Sequence, residues 1–167
     1  MKRLISKTAM MAVAISFSCS IQALELNAVA PEFSLPKLGS TQSSSLSQYR
    51  GKVVYIDFWA SWCAPCRTSF PLLEKFYQAK QKEGFALVAI NMDEEIAAAQ
   101  RFLELYPASF DILRDAEAQW ADTYAVETMP TSFIIDKKGV IRHIHNGFAK
   151  DDMADIEKIV NQLLAEK

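Results

Sequence analysis

The chain has 167 residues, of which 50% are hydrophobic and 23% charged, and its formal net charge is −2 at pH 7. This composition predicts one soluble globular domain and excludes a disordered or fibrous chain. Because the charge balance leaves no basic patch, nucleic acid is not an expected partner.

The first 23 residues follow the pattern of a secretory signal peptide. Three basic residues precede a mostly apolar stretch from residue 9 to residue 17, and the run after it ends with Ala23. Cleavage after Ala23 would leave residues 24–167 as one domain in the periplasm or otherwise outside the cytoplasm. An uncleaved membrane anchor is the alternative, although the apolar stretch is shorter than the roughly 20 residues that span a bilayer. A lipid-anchored form would use Cys19, but the residues before it match a lipidation signal poorly.

Cleavage changes both the charge and the cysteine count. The mature chain would keep 15 basic and 20 acidic residues, a net charge of −5, and would lose Cys19. Cys63 and Cys66 would then be its two cysteines, in a compartment that oxidises thiols. A disulfide staple elsewhere in the mature domain is therefore excluded.

The first half of the mature chain predicts a loop, a strand and a helix. Residues 40–47 are rich in serine and predict a surface loop. Residues 53–59 form a nearly continuous apolar run, which predicts a central strand buried on both faces, with Phe58 and Trp59 in the core. Residues 63–83 follow helical periodicity, and Gly84 ends the predicted helix.

The second half of the chain alternates strands and helices. Its predicted strands are 85–91, 110–113 and a hairpin of 132–136 and 140–146 with Phe133 in the core, and its predicted helices are 94–105, 116–124 and 150–165. Strand–helix–strand units before a hairpin and a closing helix predict an α/β fold with a mixed central β-sheet flanked by helices.

The most informative motif is Cys-Ala-Pro-Cys at 63–66, because it places two thiols at the start of a predicted helix. Unpaired N–H groups and the helix dipole stabilise a thiolate there, which predicts Cys63 as the nucleophile. Cys66 lies about one turn further along the same face and is the predicted resolving thiol. Pro65 suits the first helical turn because it has no N–H to lose. We therefore expect a redox-active Cys63–Cys66 disulfide.

A zinc site and a purely structural bridge are the alternative uses of these cysteines. Zinc needs two further soft ligands, and the chain offers only His143 and His145, which alternate on a predicted strand and are expected on its solvent face. A bridge over so short a loop would constrain the unfolded chain little. No nicotinamide or flavin fingerprint occurs, so we expect catalytic redox chemistry with no metal and no cofactor beyond the dithiol.

Three segments carry a family resemblance: residues 58–67, Met129-Pro130-Thr131 and residues 135–139. They resemble the thioredoxin fold family, and most closely its exported TlpA-like and ResA-like branch. The resemblance runs from about residue 31 to the C-terminus. It implies a thioredoxin-like fold in which residues 94–124 form an inserted helix and strand.

The resemblance also implies how a substrate would bind. Pro130 stands at the family's cis-proline, so the backbone of Met129 would pair with an extended substrate segment next to Cys63. The expected substrate-binding residues are Trp62, Pro65, Met129, Pro130 and Thr131, with Phe148 as a further surface candidate.

Asp57 stands where thioredoxins keep a buried acid behind the cysteines. Desolvation inside the apolar run would raise its pKa and let it exchange a proton with Cys66. The alternative is a solvated carboxylate at a strand end. Two positions depart from the branch, since Ser69 replaces a frequent Glu and Thr128 a frequent Gly. These departures leave Asp57 as the main acid–base candidate and change the substrate groove.

The direction of electron flow follows from the dipeptide between the cysteines. It holds no His or Lys to stabilise the Cys63 thiolate further, which favours a reductase of protein disulfides over a disulfide-donating oxidase. A reductase outside the cytoplasm needs a membrane-embedded thiol donor, and apocytochrome c thiols or a copper-site assembly protein are family-typical targets.

Two other functions are the alternatives. A thiol peroxidase would carry a Pro and Thr pattern before its cysteine, where this sequence has Ala-Ser-Trp. A copper carrier usually has three residues between its cysteines, where this sequence has two.

Overall fold

The chain folds into a layered α/β domain, which the computed structural model describes over residues 24–166; the predicted signal peptide lies outside these described residues. Short 3-10 helices lie at Leu46–Tyr49 and Gln81–Glu83. The strands are β1 (Ser34–Pro36), β2 (Ser43–Ser45), β3 (Val53–Trp59), β4 (Phe85–Asn91), β5 (Asp111–Arg114), β6 (Thr131–Ile135) and β7 (Ile141–Asn146), and the helices are α1 (Ala64–Lys80), α2 (Ile96–Leu105), α3 (Gln119–Thr123) and α4 (Asp152–Ala165).

The central sheet has five strands in the order β5-β4-β3-β6-β7. β3 runs parallel to β4, and β4 parallel to β5, whereas β6 is antiparallel to both β3 and β7. This is the mixed sheet that the sequence predicts. The central strand β3 and its parallel neighbour β4 are buried at every position, which explains why their sequences are nearly continuous apolar runs rather than alternating ones.

Side chains of β3 alternate between two hydrophobic layers. Tyr55 and Trp59 face a layer built with α1, α2 and α4, and this layer also contains both cysteines of the motif. Ile56 and Phe58 face the opposite layer, which the N-terminal segment, the first 3-10 helix and α3 cover. The helix carrying the cysteines is thus packed on the first of these layers.

The prediction of a surface loop over residues 40–47 was wrong for residues 43–47, whereas residues 40–42 form an exposed loop. Residues 43–45 pair antiparallel with Ser34–Pro36 as a two-stranded ribbon, and the next residues form a 3-10 helix. Ser44 is buried, and its hydroxyl is hydrogen-bonded to Gln48 and Tyr49. A polar sequence therefore forms a strand here because its hydroxyl groups find partners inside the protein.

Most helices begin later than their sequence pattern predicts. The helix predicted at 116–124 is Gln119–Thr123, because the carboxylate of Asp115 accepts the N–H groups of Trp120 and Ala121 at 2.8 and 2.9 Å. The helix of the cysteine motif continues as a 3-10 turn and ends as predicted at Gly84, which adopts a left-handed φ of 92°.

Over residues 24–166, no helix is both long and apolar enough to cross a membrane.

Candidate active site

The Cys63–Cys66 disulfide lies at the N-terminus of α1. Cys63 is the N-cap residue in extended conformation, and its Sγ accepts the N–H of Cys66 at 3.2 Å. Pro65 occupies the first turn of the helix. The two Cα atoms are 5.4 Å apart and the sulfur atoms are bonded. Cys63 keeps 3% of its surface exposed whereas Cys66 has none, so Cys63 is the cysteine that a substrate can approach.

The turn between β3 and the cysteines is fixed by an acid that the sequence analysis did not single out. Asp93 accepts the N–H and the hydroxyl of Ser61 at 2.9 and 2.8 Å. The side chain of Asn91 donates to the same carboxylate at 2.8 Å. Asn91 pairs with Trp59 across the two central strands, so the chain after β4 lies beside the chain that enters the cysteine motif. Parallel neighbouring strands end at the same edge of a sheet, so the place of Asp93 just after β4 was the signal that could have identified it.

Asp57 is a buried carboxyl on the same sheet face as the cysteines. It lies two residues from both Tyr55 and Trp59 and so points to the same face of β3, toward the layer that contains Cys63 and Cys66. Asp57 is 1% exposed, and among the described residues its Oδ2 atom has no hydrogen-bond partner. Desolvation raises the pKa of Asp57 to about 8. Asp57 is thus a buried acid whose pKa lies near neutral pH, and not a solvated carboxylate.

A row of polar side chains leads from Asp57 toward the edge of the sheet. Ser132 pairs with Asp57 across β3 and β6, and His145 pairs with Ser132 across β6 and β7. The hydroxyl of Tyr55 donates to Ser132 Oγ at 2.8 Å. His145 Nε2 lies 3.0 Å from Asp152 Oδ2 on α4. Polar groups thus continue across an otherwise apolar sheet face.

The prediction that the two histidines lie on a solvent face was wrong. His143 and His145 are half-buried, with stacked rings whose centroids are 6.0 Å apart. Burial, followed by the neighbouring His145, lowers the pKa of His143. The reason for the difference is α4, which supplies Asp152 to this side of the strand. Within residues 24–166, no three His, Cys, Asp or Glu side chains are grouped as metal ligands.

The loop before β6 lies at the end of β3 that leads to the cysteines. The Met129–Pro130 peptide bond is cis. Thr131 pairs with Phe58, so this loop reaches the end of β3 from which the chain continues to Cys63. Met129 packs against the core layer that contains the cysteines, and so does Phe148.

The predicted substrate-binding residues differ in their exposure. Trp62 is 65% exposed beside Cys63, while Pro65 and Met129 are partly exposed. Pro130 is buried, and Thr131 is 1% exposed with its hydroxyl donating to the carbonyl of Thr128 at 2.8 Å. Thr131 therefore holds the loop together with its side chain and does not present that side chain to a substrate.

The positions of these groups support one kind of chemistry, the exchange of a disulfide between Cys63–Cys66 and an external pair of thiols. A helix N-terminus stabilises the attacking thiolate, a second cysteine resolves the mixed disulfide, and a buried acid can hold a proton. This chemistry on a mixed sheet flanked by helices is that of the thioredoxin-like thiol–disulfide oxidoreductases.

The comparisons with known proteins agree. The model of the AhpC/TSA family matches residues 26–144, and the chain belongs to this family. It is 32% identical over 162 residues to the thiol-disulfide oxidoreductase ResA of Geobacillus kaustophilus, a match that covers 91% of this chain and 92% of the relative. It is 41% identical over 121 residues to the thioredoxin-like protein YneN of Bacillus subtilis, covering 71% and 69% of the two chains.

A solved structure extends the similarity to the fold. The protein assigned as the thiol:disulfide interchange protein DsbE of Chlorobium tepidum superimposes with a TM-score of 0.82 at 39% sequence identity, over 85% of this chain and 99% of that chain. The resemblance to the thioredoxin fold and to its ResA-like branch is confirmed, and the protein is a thiol–disulfide oxidoreductase.

Proposed function

We propose that the protein is an exported reductase of protein disulfides that receives its electrons from a membrane-embedded thiol donor. The direction of electron flow is inferred from how few groups stabilise the sulfur of Cys63. Within the described residues, the one hydrogen bond recorded to its Sγ comes from the N–H of Cys66. Ala64 and Pro65 add no cation. Because few groups stabilise the thiolate, the dithiol form gives up its electrons readily.

The reaction proceeds by two exchanges. The Cys63 thiolate attacks one sulfur of the substrate disulfide, forms a mixed disulfide and releases the first substrate sulfur as a thiolate. In molecules whose Asp57 is ionised, Cys66 then transfers its proton to Asp57, attacks Cys63 Sγ and releases the second substrate sulfur as a thiolate. The products are the reduced substrate and the Cys63–Cys66 disulfide. Asp57 suits this step because burial raises its pKa to about 8, into the range of a thiol.

The enzyme must be reduced again after each turnover. A membrane-embedded dithiol attacks the Cys63–Cys66 disulfide in the reverse sequence. The Cys63–Cys66 pair is the only redox group of this protein that the cycle needs. Protein disulfides are the substrates, and the family-typical targets are apocytochrome c, whose cysteines must be thiols before haem attachment, and a copper-site assembly protein. Export rests on the N-terminal sequence pattern and is tested by the presence of mature protein in the periplasmic fraction.

The reduction potential of the Cys63–Cys66 pair tests the direction. Residues 24–167 would be equilibrated with glutathione or dithiothreitol buffers at pH 7, and the oxidised fraction measured. A reductase is expected near or below about −220 mV, among the reducing proteins. A value of about −120 to −150 mV, close to the strong oxidases, would instead make the protein a disulfide donor.

Two other activities can be separated from disulfide reduction. A thiol peroxidase is disfavoured because Ser61, two residues before Cys63, donates its hydroxyl to Asp93. Peroxide consumption by the reduced protein measures this activity directly. A copper carrier would use a histidine beside the two thiolates. Disulfide reduction needs neither histidine, so a His143→Ala, His145→Ala double variant should retain its rate of disulfide reduction.

A further inference from the structure

A cleft of about 420 Å³ opens beside the cysteine motif, between the first turn of α1 and one side of α2. Ser61 and Arg67 line it from the two ends of the motif, two residues before Cys63 and one residue after Cys66. Arg101 and Leu105 line it from α2. The cleft is therefore close enough in the chain to contact whatever protein exchanges its disulfide with Cys63.

The side of α2 that faces this cleft is split between an anchor and an exposed edge. Phe102 is buried, with its ring centroid 4.7 Å from Trp59 and 5.0 Å from Phe70. Leu105, one turn further on, is 75% exposed, the highest value among the large exposed hydrophobic side chains in the described part of the chain. The anchored residue holds α2 in place while an apolar side chain stays available at the cleft.

The charges of the cleft stand out against an acidic protein. Arg67 and Arg101 are exposed, and within residues 24–166 the side chain of neither forms an ion pair or a hydrogen bond. The other arginines of this region are bonded to Glu32 and Lys138 (Arg50), to Glu94 (Arg114), and to Asp136 and Glu166 (Arg142). The two arginines without partners thus line the same cleft, where each can pair with a carboxylate.

We propose that this cleft binds a segment of the partner protein that carries carboxylates next to a leucine-like side chain, a few residues from the exchanged cysteine. The carboxylates would pair with Arg67 and Arg101, and the apolar side chain would cover Leu105. An extended chain advances about 3.3 Å per residue, so a few residues bridge the motif and the cleft. This proposal rests on the proposed function and names the partner chemistry of the same site, whichever way the electrons flow.

Paired synthetic peptides test the proposal. Each would contain a cysteine in a mixed disulfide with a quenched fluorophore, followed after a short spacer by Glu-Leu-Glu or by Lys-Leu-Lys. The reduced mature protein reacts with each peptide, and the second-order rate constant is divided by that of dithiothreitol with the same peptide. We expect the wild-type protein to react about five- to tenfold faster with the acidic peptide at low salt, and less so at 0.5 M salt. Arg101→Glu should reverse the preference.

The controls separate docking from redox chemistry. Lys158→Glu, an exposed change of the same charge on α4, should keep the wild-type preference. Uncharged hydroxyethyl disulfide should react at rates within twofold for all variants, since it does not occupy the cleft. Equal rates for the two peptides, with hydroxyethyl disulfide still reacting, would overturn the docking proposal alone. An oxidising potential would overturn the reductase proposal and leave the peptide preference intact.

Discussion

Asp57 connects the chemistry of the site to the stability of the fold. Its pKa is raised from the ordinary 3.8 to about 8 by burial. Between about pH 4 and pH 8 the folded state therefore holds a proton that the unfolded state has lost. The stability from this proton is complete below pH 4 and is lost progressively as the pH rises toward 8.

Asp57→Asn should remove this dependence. The amide does not titrate, so the variant should match the wild type near pH 4 and exceed its free energy of unfolding at pH 8 by on the order of 2–5 kcal/mol. Urea unfolding of the oxidised proteins at several pH values measures the difference. Parallel pH profiles for the two proteins would show that Asp57 is ionised in the folded state at neutral pH.

At the scale of single elements, sequence pattern predicted what burial dictates. The strands at 53–59 and 85–91 were predicted to the residue, because strands buried on both faces are apolar at nearly every position. Ser43–Ser45 was missed because the stability of a short polar ribbon comes from partners distant in the chain. The positions of His143 and His145 depend on α4, whose docking no local pattern of β7 encodes.

The site divides in the same way. The cysteine pair and its place at a helix start follow from the local sequence around residues 63–66. The cis bond before Pro130 came from the resemblance, since about 5–6% of X–Pro bonds are cis and sequence gives no local sign of them. Asp93 was missed because its partner, Ser61, is brought near by the pairing of two strands. Tertiary contacts, rather than propensity, determine these features.

The hairpin between β6 and β7 provides a test at the scale of one element. Gly139 has a left-handed φ of 86°, and a Cβ at this position would lie 1.6 Å from the Arg50 guanidinium, which donates to the Lys138 carbonyl. Gly139→Ala should lower the free energy of unfolding by about 1–3 kcal/mol. Thermal or urea unfolding measures this change.

A second variant separates the two causes. Arg50→Ala removes the side chain that the new methyl group would strike, so in an Arg50→Ala background Gly139→Ala retains only the backbone strain. The loss should therefore shrink but persist. If Gly139→Ala were neutral in that background, the left-handed backbone would not be the reason for the glycine.

At the scale of the whole molecule, one sheet joins both hydrophobic layers. In β3, Trp59 packs in the layer of the cysteines and Phe58 in the opposite layer. In that opposite layer the ring centroids of Phe33 and Trp120 are 6.3 Å apart. Because every residue of β3 is buried, neither layer can be exposed without breaking the strand that supports the other. The two layers should therefore unfold together.

Phe102→Ala tests this coupling from one side. Removing a buried ring from the aromatic cluster around Trp59 should lower the free energy of unfolding by about 3–5 kcal/mol, whereas Leu105→Ala on the exposed edge of the same helix should change it by less than about 0.5 kcal/mol. Fluorescence of single-tryptophan variants that keep Trp59 or Trp120 reports each layer separately. Coincident urea midpoints are expected in Phe102→Ala, because destabilising one layer lowers the stability of the shared sheet. An earlier transition at Trp59 than at Trp120 would show instead that α2 and the cysteine layer open while the rest stays folded.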